Sequence, residues 1–63
     1  MNNVELEFVN ELKRLGLRRL DVADHLGFSY ETLKRKLLEP GRFTIADLQK
    51  LKQLKIKLNQ LEL

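Results

Sequence analysis

The chain has 63 residues, with twelve Lys or Arg against nine Asp or Glu for a formal net charge of +3, one His and no Cys. That length holds a single domain over residues 1–63, is too short to enclose a pocket of ordinary size, and offers no thiolate for a disulfide or a metal site. A domain of this size buries only about 60% of its unfolded surface, so its stability has to come from packed Leu, Ile, Val and Phe.

There are three Gly and one Pro, and no alternating apolar stretch appears before the C-terminus. The expected fold is all-α, a compact bundle of four to five helices. Residues 1–15 predict the first helix. Asn2 or Asn3 can cap it, and Val4, Phe8, Leu12 and Leu15 follow the spacing of one helical face, widened by Val9. Gly16 can end it in a left-handed conformation, with Lys13 and Arg14 at the negative end of the dipole. The acidic, amphipathic start lacks the pattern of a secretion signal, and no apolar run nears the ~20 residues that span a bilayer. The expectation is a cytoplasmic protein with no membrane partner.

Residues 19–38 are the centre of the reading. Residues 19–26 predict a helix with Val22, Ala23 and Leu26 on one face. Residues 29–38 predict another, with Leu33 and Leu37 inward. Gly27 suits the sharp turn between them because it has no Cβ to clash at positive φ. Ser29 can cap the second of these helices, and Glu31 sits near the positive end of its dipole. A small residue, Ala23, lies four positions before Gly27, where two helices crossing over a short turn come closest. This spacing is the geometry of a helix-turn-helix.

Arg18 stands where a Ser or Thr cap is expected, and Asp21 offsets this in part through the dipole. Arg18 and Arg19 together oppose that dipole, and a phosphate held at the helix start would remove the conflict. Leu20 lies off the apolar face. His25 reads as a surface residue, since no Cys or second His exists to complete a metal site. Tyr30, Glu31, Lys34 and Arg35 lie opposite Leu33 and Leu37. Arg and Lys can donate to guanine, Glu can accept from cytosine, and Tyr can reach a phosphate or a thymine methyl. Thr32 lies to the side and can support the turn. Lys36 lies near the solvent boundary, in reach of a backbone phosphate.

Pro40 stops this helix, Phe43 is expected to anchor the loop, and Arg42 stands well for a phosphate contact. Thr44 and Asp47 form a T-x-x-D capping pattern, and Ile45, Leu48, Leu51 and Leu54 predict the apolar side of a fourth helix. The tail from Lys55 can continue as a short helix, the favoured reading, or alternate like a strand through Ile56 and Leu58. Leu58, Leu61 and Leu63 either close the core over the first helix or meet a second subunit, with residues 56–63 as the dimer contact.

Val22-Ala23, Leu26-Gly27-Phe28-Ser29, Thr32-Leu33, the Arg-Lys-Leu at 35–37, Pro40 to Thr44 and the Leu-rich fourth helix together resemble the lambda-repressor-like, Cro/repressor-type helix-turn-helix family. The LKRKLLEPGRFT stretch is similar to small prophage-type regulators. The resemblance implies a DNA-binding repressor or activator, usually dimeric, with the third helix in the major groove. It implies base contacts from Ser29, Tyr30, Glu31, Lys34 and Arg35, and phosphate contacts from Arg19 and Arg42. Members usually cap the second helix with Ser or Thr where this chain has Arg18.

The expected partner is double-stranded DNA, with no cofactor and no small-molecule ligand. With about four phosphates neutralised per subunit, log affinity should fall with log salt at a slope of about −3.6. The rival is a protein-interaction module of the same fold that uses Leu58, Leu61, Leu63 and Tyr30 and does not bind DNA. An enzyme is not expected, because no nucleophile–base pair, metal cluster or phosphate loop can be assembled from these residues.

Overall fold

The computed structural model describes residues 2–59. Four helices follow one another: α1 Asn3–Leu15, α2 Arg19–Leu26, α3 Tyr30–Leu38 and α4 Ile45–Gln53, with a 3-10 turn at Pro40–Arg42 between α3 and α4. No strand occurs among the described residues, so the fold is all-α as expected. The Cα radius of gyration is 10.3 Å, against about 10.6 Å for a compact chain of this length.

Capping side chains start three of the helices. Asn2 Oδ1 accepts the Glu5 N–H at 2.7 Å. The same side chain donates from Nδ2 to the carbonyl of Leu37 at 2.9 Å. One amide thus satisfies a free donor at the start of α1 and a free acceptor at the end of α3. Ser29 opens α3 by accepting the Thr32 N–H. Thr44 opens α4 with both arms of a capping box: Thr44 Oγ1 accepts from Asp47 N at 3.0 Å, and Asp47 Oδ2 accepts from Thr44 N at 3.1 Å. α2 has no side-chain cap at Arg18.

Three helix ends share one device. An N–H two residues past the helix, or three past it after α4, returns to a carbonyl five positions back, and the residue just before it is left-handed. Leu17 N bonds Leu12 O, Phe28 N bonds Ala23 O, and Ile56 N bonds Leu51 O. The left-handed residues are Gly16, Gly27 and, after α4, Lys55 at φ 65°. Each returning residue is apolar, so the chain turns its next side chain towards the core.

That core joins Val4, Phe8 and Leu12 of α1 to Val22, Ala23 and Leu26 of α2, Leu33 and Leu37 of α3, Leu51 of α4, and Ile56 and Leu58 of the tail. Ile45 departs from expectation and is 66% exposed. The capping box explains it. Asp47 is drawn inward and is only 8% exposed, and Ile45, two residues away and so about 200° around the helix, is carried outward.

The tail also departs from the favoured reading. After Lys55, residues 56–58 are not helical. Ile56 and Leu58 point inward and Lys57 outward, the alternation of an extended chain. Side chains of α1 take the place of a partner strand. Lys57 N donates to Glu11 Oε1 at 2.7 Å, and Asn59 N donates to Glu7 Oε2 at 3.0 Å. Arg14 Nη2 donates to the Lys55 carbonyl at 3.0 Å. Leu58 therefore helps close the core. Leu61 and Leu63 lie outside the described residues. No helix among the described residues is long and apolar enough to cross a membrane.

Candidate nucleic-acid interface

The turn from Leu26 to Ser29 sets the direction of α3. Gly27 has φ 88°, and a Cβ added there would meet no atom within 4 Å. The demand for glycine is therefore one of backbone conformation, not of space. Phe28 packs against the core. Ser29 Oγ lies 3.1 Å from Thr32 Oγ1, so Thr32 supports the turn as its position suggests.

With Leu33 and Leu37 buried, the opposite side of α3 faces solvent. Glu31, Lys34 and Arg35 are exposed there. Their side chains make no hydrogen bond or ion pair with another described residue. Ser29 is also exposed, though its hydroxyl is engaged in capping. Tyr30 differs from its expected place. It is half-buried against the core, and its hydroxyl accepts from Arg19 Nη1 at 2.9 Å. The guanidinium carbon of Arg19 lies 6.0 Å from the ring centroid. Arg19 is exposed at the start of α2 and is thereby drawn to the N-terminal end of α3.

Two more arginines hold neighbouring carboxylates. Arg18 Nε donates to Asp21 Oδ2 at 3.0 Å, and Arg42 Nε to Glu39 Oε2 at 2.7 Å. Both pairs are solvent-exposed, where such bridges hold little energy. The guanidiniums can therefore exchange one anion for another. Arg42, through Glu39, stands at the C-terminal end of α3 as Arg19 stands at the N-terminal end.

Lys36 departs from expectation: its ammonium does not stand at the solvent boundary in reach of phosphate. Its Nζ lies 2.6 Å from Asp47 Oδ2, with the side chain only 17% exposed. Nζ also lies 4.9 Å from the ring centroid of Phe28 and 6.0 Å from that of Phe43. Two aromatic faces and one carboxylate thus surround the cation. Burial by itself raises the Asp47 pKa, but the hydrogen bonds from Lys36 and the Thr44 N–H outweigh it and hold the carboxyl below its ordinary value. The signal for this pair lay in the phase of α3. Leu33, Lys36 and Leu37 share one side, and a lysine on that side needs a buried anion.

His25 Nε2 lies 3.0 Å from Gln53 Oε1, at the surface. Among the described residues no group of three or more His, Cys, Asp and Glu could hold a metal ion. No family model, curated protein or solved structure matches the chain. The geometry offers an outward helix face with a carboxylate, an ammonium and a guanidinium free to hydrogen-bond, bordered by arginines at both ends. Such a surface can read base edges and hold phosphates.

Proposed function

We propose that the protein is a sequence-specific double-stranded DNA-binding regulator of transcription, of the repressor type and acting as a homodimer in the cytoplasm of a bacterial cell. The supporting observation is the solvent face of α3, where Glu31, Lys34 and Arg35 stand exposed without partners among the described residues. In this reading α3 enters the major groove. Lys34 and Arg35 donate to guanine O6 and N7, Glu31 accepts from cytosine N4, and Ser29 and Tyr30 flank them. Arg18, Arg19 and Arg42 hold phosphates, which position the helix without reading sequence. Two copies read half-sites one helical turn apart, about 34 Å.

Selection of bound duplexes from a random pool, followed by a salt titration on the winner, tests this. The expected winner is a symmetric site. With Lys36 turned to Asp47, three phosphate-directed arginines remain, so the slope of log affinity against log salt is about −2.7 per subunit. A pool that shows no enrichment, or binding indifferent to salt, would sink the proposal. Less supports the rival interaction surface, because Leu58 is in the core.

A further inference from the structure

Between the C-terminal half of α1 and the first turn of α2 lies an open groove of about 490 Å³. Val9, Leu12 and Leu17 supply its apolar surface, and Lys13, Arg19 and Leu20 stand around it. Gly16 contributes no side chain, and a Cβ there would meet nothing within 4 Å, so the space above it is empty. Leu20 is 69% exposed at this edge. A lone exposed leucine needs no explanation. This one adjoins a groove whose walls are already apolar and only partly covered.

Among the described residues the charged side chains that line the groove, Lys13, Arg18 and Arg19, are all cationic. Arg18 is matched by Asp21. Arg19 bonds a neutral phenol, so its charge is uncompensated, and Lys13 has no side-chain partner among the described residues. Phosphate alone would use the cations and leave Leu20 and the apolar walls idle. A ligand that satisfies both features carries anionic groups next to a branched aliphatic or aromatic side chain.

We propose that this groove docks a protein partner through an acidic, amphipathic peptide segment. Its apolar side chain enters against Val9, Leu17 and Leu20, and its carboxylates meet Lys13 and Arg19. Docking here does not require α3 to meet DNA, although it draws on Arg19, which a DNA phosphate would also use.

A random 12-residue peptide library displayed on phage, panned against the full-length protein, tests the proposal. The best peptide is then titrated as a synthetic peptide into isotope-labelled protein. The expected winners are net negative and carry Leu, Ile or Phe. They shift the amide signals of Val9, Gly16, Leu17 and Leu20, and Leu20→Asp and Lys13→Glu each weaken binding at least about tenfold. Both residues are exposed, so both variants should remain folded, with only a small fall in midpoint for Lys13→Glu at the end of α1. Neutral or basic winners, amide shifts confined to other surfaces, or affinity indifferent to Leu20→Asp would overturn it. So would a concentration-dependent dimer in sedimentation that Leu20→Asp abolishes, because the groove would then be filled by a second copy.

Discussion

Lys36 Nζ donates to Asp47 Oδ2 at 2.6 Å, and the same oxygen accepts the Thr44 N–H at 3.1 Å. One carboxylate oxygen therefore begins α4 and grips α3. Because α3 carries the proposed recognition face on its far side, the pair helps fix the direction in which that face looks.

Removing this carboxylate should cost more than removing the other arm of the capping box. Thr44→Ala loses a cap hydrogen bond, worth about 1 kcal/mol. Asp47→Ala loses the reciprocal bond and also leaves Lys36 partly buried without its anion, for about 2–3 kcal/mol in total. Urea unfolding of the two variants gives the comparison. Equal costs would mean that Lys36 readily turns to solvent and the link to α3 is weak.

Acid should loosen the fold progressively from the ordinary carboxyl range downwards, because the carboxylates that hold the structure are the last to take up a proton. The Arg14 hydrogen bond first, and the Lys57 N–H second, lower the Glu11 pKa from 4.5 to about 2. Asp47 is lowered as well. A carboxyl depressed in the folded state contributes fully above its unfolded pKa and loses that contribution as pH falls through the folded one. The urea midpoint should therefore fall between about pH 4.5 and pH 2. Glu11→Gln should lie below the parent at neutral pH and converge on it at the acid end. Parallel curves would refute the role given to Glu11.

Lys55 offers a substitution that stabilises. It is a non-glycine residue at φ 65°, in the position after a helix that glycine ordinarily fills. Its exposed side chain is not part of the core. Lys55→Gly should relieve about 1 kcal/mol of backbone strain, less the entropy that glycine adds to the unfolded chain. A raised melting temperature is the expected result.

On a selected duplex, Lys34→Ala and Arg35→Ala should each lose about 1–3 kcal/mol of binding and relax the preference at one base pair. Arg42→Ala should weaken all sequences alike and reduce the salt slope by about 1. Thermal unfolding of the two α3 variants should be unchanged, since neither side chain packs. Loss of affinity without loss of discrimination at either α3 position would assign that residue to phosphate instead.

The helices were legible because their signals are local. The Val4-Phe8-Leu12 stripe, Gly16, Gly27, Ser29 and the Thr44–Asp47 box each act within a turn or two, and all appear where their spacing placed them. The misreadings came from contacts between distant residues. Ile45 fits the α4 stripe, yet Lys36 and the cap pull Asp47 inward and swing Ile45 out. Tyr30 looked outward until Arg19 supplied a partner eleven residues earlier. The tail was readable as helix or strand because its alternation is short, and what decides it is a pair of carboxylates some forty-six to fifty-two positions away. Lys34, Arg35 and Glu31 could be read directly, since nothing in the fold competes for them.

Glu7 and Glu11 are four residues apart on a helix, a rise of about 6.0 Å. Lys57 and Asn59 are two apart on an extended chain, about 6.6 Å. The two intervals nearly coincide, so α1 serves as a ruler that measures out the stretch from Lys57 to Asn59. A slip of one residue would aim both amides away from their acceptors and set Lys57 where Leu58 belongs. The alignment of the tail is thus chosen twice, by its greasy side and by its backbone, with no second strand needed.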